Sequence, residues 1–248
     1  MLRALLLSSF LAIAALGCAP DSDREAASSD DALTELVTTH GPEAYRAYAE
    51  LATAGGETPA PGTITVLGLR GLSFEGTTHA TVYGHAFDDT LVVLAADGLS
   101  VMRFAASTHP FERSGVPGVP DVDGDRVADV GMIRPGVYDV KGRGDRKIAG
   151  AGTYVVTQNG QGRLPGWRDV NHDGILTDAE RATSERRKDG ITDVLFHQGE
   201  GPVPAAVGCQ VFPARSIRSF AAAVGGDLAQ FRYVLVDMTG RDASTLPR

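Results

Sequence analysis

Short runs rich in apolar and β-branched residues, alternating with polar ones over Ser100 to Phe104, predict strands along this chain. The stretches are Ile64 to Arg70, Thr90 to Leu94, Ser100 to Phe104, Gly136 to Val140, Thr153 to Thr157, Thr192 to His197 and Phe231 to Val236, with a short one over Ala80 to Tyr83. A helical spacing governs three others. Leu33, Leu36 and Val37 predict a helix from Asp31 to Thr38. Tyr45, Tyr48 and Leu51 predict one from Pro42 to about Ala54, ended by Gly55-Gly56. Ile217, Phe220, Ala221 and Val224 predict a last helix from Arg215 to Val224. Pro42 suits an early helical position because its missing N–H has no partner there in any case. Thirty glycines and thirteen prolines add many turns. The expectation is a mostly β domain over 62–240 with polar insertions and a short helix near its end. A small helical segment precedes it, within 19–61.

The apolar pattern at the start of the chain is of another kind. Arg3 precedes an apolar run, Leu5-Leu6-Leu7 and then Phe10 to Leu16, which stops at Gly17-Cys18. A positive start, a short apolar core and a small residue ahead of a cut make residues 1–18 read as an export signal. The run is short for a bilayer span, which leaves a retained membrane helix as the alternative. Ala15-Leu16-Gly17-Cys18 resembles the lipobox of bacterial lipoproteins, with Ala15 where Leu is commonest. That resemblance implies acylation of Cys18, a lipid anchor in a membrane and a location outside the cytoplasm. The acidic, small-residue stretch 19–31 cannot bury a core and reads as a tether. The net charge of -8 without a basic patch argues against nucleic acid as a partner. Of the two cysteines, lipidation of Cys18 leaves Cys209 alone.

Two acidic loops carry the clearest chemistry. In 169–180, Asp169, Asn171 and Asp173 supply oxygens at places one, three and five of an EF-hand type loop, and Gly174 turns the chain at place six. Ile175 offers its carbonyl at seven, Thr177 stands at nine, and Glu180 at twelve can give two oxygens, a set that suits Ca2+. Leu176 is expected to point into the domain. The segment before the loop is not helical, and a helix from Asp178 to about Arg187 should follow. The loop therefore reads as a half EF-hand that staples an insertion. The second loop, 121–129, offers Asp121, Asp123, Asp125 and Asp129, but has Arg126 at the turn place and no closing glutamate. For both, the plainer reading is a solvated acidic turn.

Cys209 follows His197 by twelve residues, across a Gly/Pro-rich loop. A thiol acts as a nucleophile near neutral pH when a base lies within hydrogen-bond reach. The readings left open are a nucleophile, a buried structural thiol, and the wall of a binding site. His197-Gln198-Gly199, then Gly208-Cys209, a helix and a final strand resemble the catalytic segment of L,D-transpeptidases of the YkuD type. Leu67 to Gly71, Asp88-Asp89, Ala106 to Thr108 and Arg134 to Tyr138 extend the likeness over 62–240. The resemblance implies a transpeptidase-like β fold and acyl transfer on peptidoglycan stem peptides, with Cys209 as nucleophile and His197 as base. Where those enzymes carry Ser or Thr followed by His before Gly-Cys, this chain has Ala206 and Val207. Arg70 and Arg134 are candidates for holding a substrate carboxylate. His79, His85, His109 and His172 show no zinc-type spacing, though His85 and Asp88 are candidates to line a cleft. The competing class is a non-enzymatic calcium-binding envelope lipoprotein, structural or peptidoglycan-binding.

Overall fold

The computed structural model describes residues 36–84, 87–111, 118–199 and 207–247. It shows a mixed, mostly β domain with a few short helices. The first elements are strand β1 (Leu36–His40) and helix α1 (Pro42–Ala54). Strands β2 (Thr65–Arg70), β3 (Asp89–Leu94), β4 (Ser100–Ala106), β5 (Gly131–Ile133), β6 (Gly136–Ile148), β7 (Ala151–Thr157) and β8 (Leu164–Arg168) follow. Then come α2 (Asp178–Arg187), β9 (Gly190–Ile191), β10 (Leu195–Gln198), β11 (Gln210–Phe212), α3 (Ser216–Val224) and β12 (Gln230–Asp237). The large sheet runs β1-β4-β3-β2-β12-β6-β7-β10-β11, and β5-β8-β9 form a small one. The large sheet curls enough for Val211 on β11 to exchange two backbone hydrogen bonds of 2.8 Å with Ser107, just past β4.

The central strands are apolar on both faces because both are covered. On one face Val66, Leu91, Val93, Phe231, Tyr233 and Leu235 meet α3, whose Phe220 stands 4.5 Å from Phe212 and 5.7 Å from Phe196, centroid to centroid. Such aromatic packing makes Phe220 a large term, and truncation to alanine in such a core costs about 3–5 kcal/mol. On the other face Leu67, Leu69, Val92, Leu94, Val234 and Val236 meet α1. That helix buries Ala44, Tyr48 and Ala52, one every four residues along its inner stripe.

The predicted helix over 31–38 is corrected in its described part. Leu36 to Thr38 lie in β1, where Leu36 pairs with Phe104 and Thr38 with Met102. Val37, Thr38 and Thr39 are β-branched, and the open edge of β4 supplies partners that a periodicity argument does not contain. Ala80 to Tyr83 form no strand. Tyr83 donates its N–H to the carbonyl of Gly174 at 2.8 Å instead, tying that excursion to the 169–180 loop. Strands β5, β8, β9 and β11, none longer than five residues, were not among those expected. β1, α1 and the sheet fall in one compact unit, Thr34–Arg248. No helix of the described residues is long and apolar enough to cross a membrane. Cys18 and the rest of the export signal lie outside the described residues.

Candidate functional site

The small sheet sets the two acidic loops side by side. Gly131 on β5 pairs with Arg168 on β8, and the ladder continues with the N–H of Asp169 donating to Val130 O at 3.0 Å. Asp129 therefore ends one loop beside the residue that begins the other. Met132 and Trp167 of this sheet pack with Tyr83, Val130 and Leu176, so Leu176 points inward as its place in the loop requires.

Within 169–180 the carboxylates are held by short local bonds. Asp169 Oδ2 accepts from Gly174 N–H at 2.8 Å, and Gly174 has the positive φ of 83° that this tight return needs. Asn171 Oδ1 accepts from Asp173 N–H, and Asp173 Oδ1 from Ile175 N–H. Glu180 sits at the third position of α2, in a reciprocal cap with Thr177. Its Oε2 accepts from Thr177 N–H at 2.9 Å, while Oε1 reaches Val170 N–H at 3.2 Å, closing the loop from its last residue to its second. Asp169 is fully buried, and its Oδ1 has no hydrogen-bond partner. Burial first, then the Glu180 and Asp173 carboxylates, hold its pKa above the usual carboxylate range.

In 121–129 the ligand oxygens of Asp121, Asp123 and Asp129 lie within 4.8 Å of one another and could hold a divalent cation. Asp125 belongs to the same turn, its Oδ1 accepting from Val127 N–H at 2.7 Å. Asp129 is buried and accepts from Val122 N–H, and its Oδ1 meets His172 Nε2 at 3.1 Å. His172, at place four of the neighbouring loop, thus links the two.

A third cluster, Asp88, Asp89 and His109, also converges within 4.8 Å. Its hydrogen bonds identify what already neutralises it. His109 Nδ1 faces Pro110 O at 3.0 Å and Nε2 faces Asp88 Oδ1 at 2.8 Å, so both ring nitrogens donate and the ring is an imidazolium. His79 likewise faces two carbonyl oxygens, of Ala80 and Asp88. Burial works against charge on both rings. The Asp89 and Asp88 carboxylates outweigh it at His109, and the carbonyl acceptors outweigh it at His79, so both pKa values are raised. The same contacts outweigh burial at Asp88 and lower its pKa. A cation would have to displace the Nε2 proton here, whereas the two acidic loops present oxygens alone.

The remaining predicted residues are dispersed. Arg70 is fully buried, donating from Nη1 to Ile133 O at 2.9 Å and from Nη2 to Thr108 O at 2.6 Å. Arg134 pairs with Glu185 at 3.2 Å and lines a polar cleft of about 400 Å3 that Cys209 does not share. His197 on β10 is buried, its Nδ1 2.7 Å from Gln198 O. Cys209 precedes β11, which runs parallel to β10 with His197 opposite Val211. The thiol donates to Asp193 O at 3.7 Å and not to His197. Burial, aided by Asp193, pushes its pKa up to about 11, against the pull of the Leu195 backbone hydrogen bond and of Arg146. Cys209 borders a cavity of about 430 Å3 together with Arg146, Arg168 and Asp193.

Sequence reasoning missed the Asp88–Asp89–His109 cluster and Arg168. His109 lies twenty-one residues beyond Asp88, a separation that carries no local signal. Arg168 stands directly before the first loop carboxylate, a place that could have drawn notice. No family model, no curated protein and no solved structure matches the chain.

Proposed function

We propose that this chain is an exported, lipid-anchored envelope protein whose folded domain is stapled by calcium and serves in binding or structure rather than in catalysis. The export and anchor rest on the lipobox-like end of residues 1–18 and the acidic tether after it. The cation is assigned to the 169–180 loop, with Asp169, Asn171, Asp173, Thr177, Glu180 and the Ile175 carbonyl as donors, and a second to 121–129. A mostly oxygen donor set of this kind suits a hard cation.

One observation carries the reading. Asp169 is fully buried, has one carboxylate oxygen unpartnered and feels the charges of the Glu180 and Asp173 carboxylates. A buried charge without compensation is expensive, and a divalent cation supplies the missing partner. The cysteine-enzyme reading has less behind it. A nucleophilic thiol needs a lowered pKa or a bonded base, whereas the Cys209 thiol is pushed up to about 11 and bonds a carbonyl. The transpeptidase-like likeness therefore bears on a ligand-binding role toward cell-wall peptides more than on acyl transfer.

Calorimetric titration of calcium into the chelator-treated full chain tests this. Saturable heat that Asp169→Asn reduces by the share of the 169–180 site is the expected result. Absence of heat, with no rise in melting temperature at millimolar calcium, would sink the cation assignment.

A further inference from the structure

Arg168, like Arg70, is a buried guanidinium held by neutral oxygens, and unlike Arg70 it lines a cavity. It is 6% exposed, and its Nη1 and Nη2 donate only to backbone carbonyls, Asp129 O at 2.7 Å and Gly190 O at 2.6 Å. Its Nε is buried with no hydrogen-bond partner. The carboxylates that favour its charge are Asp189 and Asp129. Both are committed elsewhere: Asp189 to Arg187 at 2.7 Å, Asp129 to Val122 N–H and His172. Buried arginines are ordinarily paired, because neutral carbonyls satisfy the N–H groups but leave the charge uncompensated.

The cavity beside Arg168 is the one that Cys209 borders. Its described lining holds two guanidiniums, Arg146 and Arg168, against one carboxylate, Asp193. Arg146 is exposed at the rim, close enough to the thiol to act on it electrostatically. Gly208 forms part of the wall with a φ of 112°, and a Cβ there would come within 2.6 Å of Gly131 O, so the backbone packs against β5 with no room for a side chain. Val119, Ile191 and Val194 complete an apolar lining. A small organic molecule ending in an oxyanion matches such a cavity: apolar contact along its body, two-pronged donation to its charged end.

We propose that this cavity binds the carboxylate end of a small organic ligand through Arg146 and Arg168, with Cys209 as part of the wall. The proposal rests on the binding role argued above, and it names the site and the ligand class. It does not need the loops to hold calcium, since Arg168 is fixed by backbone carbonyls.

Cys209 makes the cavity measurable. In the full chain carrying Cys18→Ser it is the only thiol. Its rates of exchange with two aromatic disulfides are compared with those of free cysteine at about pH 8.5, near the usual thiol pKa. Dithionitrobenzoate carries ring carboxylates, and dithiodipyridine is neutral. A cationic cavity should favour the anionic reagent by roughly fivefold or more over the ratio seen with free cysteine, because two nearby positive charges concentrate it. Arg146→Gln, at an exposed position, should reduce that preference, and Arg168→Gln should reduce it further. Acetate should slow the anionic reagent saturably, where chloride at equal ionic strength does not.

A ratio equal to that of free cysteine, or one unmoved by Arg146→Gln, would overturn the proposal. So would failure of both reagents to react with the folded chain even as pH is raised toward about 11, where the thiol ionises, which would close the cavity to ligands of this size. Calcium titration of the same sample separates the two readings. Lost preference with calcium binding intact removes the pocket alone, and lost calcium binding with the preference intact removes the cation assignment alone.

Discussion

The two acidic loops share a spacing and differ in what surrounds their first carboxylate. Asp121 is exposed, and N–H groups of Gly124 and Arg126 hold its pKa below the usual carboxylate range. Asp169 has a similar bond from Gly174 N–H, yet burial and the Glu180 and Asp173 charges raise its pKa. Backbone donors alone satisfy a carboxylate that water also reaches. Once the carboxylate is enclosed beside others, they do not. Demand for a cation therefore comes from the packing of Leu176 and α2 around the loop as much as from the acidic pattern. The Asp88–Asp89 cluster completes the comparison, since it is also enclosed but carries its own cation in His109.

Asp169→Asn should break the contrast most strongly. Removing the uncompensated charge should leave the chelator-treated protein at least as stable as the native chain, while calcium raises its melting temperature by less than that of the native chain, through the 121–129 loop alone. The native chain should gain about 2.7 kcal/mol at a hundredfold excess of calcium over its Kd. Parallel thermal melts with calcium and with chelator measure both arms, and a full calcium response in the variant would refute the assignment.

The histidine cluster should respond to pH instead of calcium. His109 and His79 have raised pKa values, so their contribution is complete below about 6.5, their ordinary value, and is lost as pH rises through the folded values. Asp88 is lowered, so its contribution is present above its ordinary 3.8 and is lost as pH falls through the folded value. Stability from this cluster should thus be greatest between those limits. Denaturant midpoints of His109→Gln across pH should show a smaller decline on the alkaline side, with the His79 share left. An unchanged profile would mean that the ring is not an imidazolium.

Smaller substitutions sharpen the difference between the loops. Thr177→Ala removes the reciprocal cap with Glu180 and should cost about 1 kcal/mol in urea unfolding, with weaker calcium binding. Arg126 has a left-handed φ of 74° at the place Gly174 fills in the other loop, so Arg126→Gly should stabilise by about 0.5–1 kcal/mol in the same assay. Asp121→Asn should move the melting temperature of the chelator-treated chain least of all. A large destabilisation would show that its carboxylate bears on the fold in a way its exposure does not suggest.

Much of this was legible before any tertiary structure because it is local. The 169–180 spacing, the inward place of Leu176, α2 from Asp178 to Arg187, α1 after Pro42 and most long strands are marked by patterns within about a dozen residues, so order along the chain carries them. Other features depend on pairings that sequence order does not reveal. Leu36 entered a strand because β4 had an open edge. His109 found Asp88 across twenty-one residues, and Arg70 went to Thr108 across thirty-eight. The register of β10 and β11 turned the Cys209 thiol to Asp193 and left His197 on another hydrogen bond. The sequence by itself determined which oxygens could gather around a cation, because one loop contains them all. Only the tertiary structure decided which carboxylates are starved of solvent and that Arg70 and Arg168 are buried on neutral oxygens, because desolvation is set by whatever distant segments pack on top.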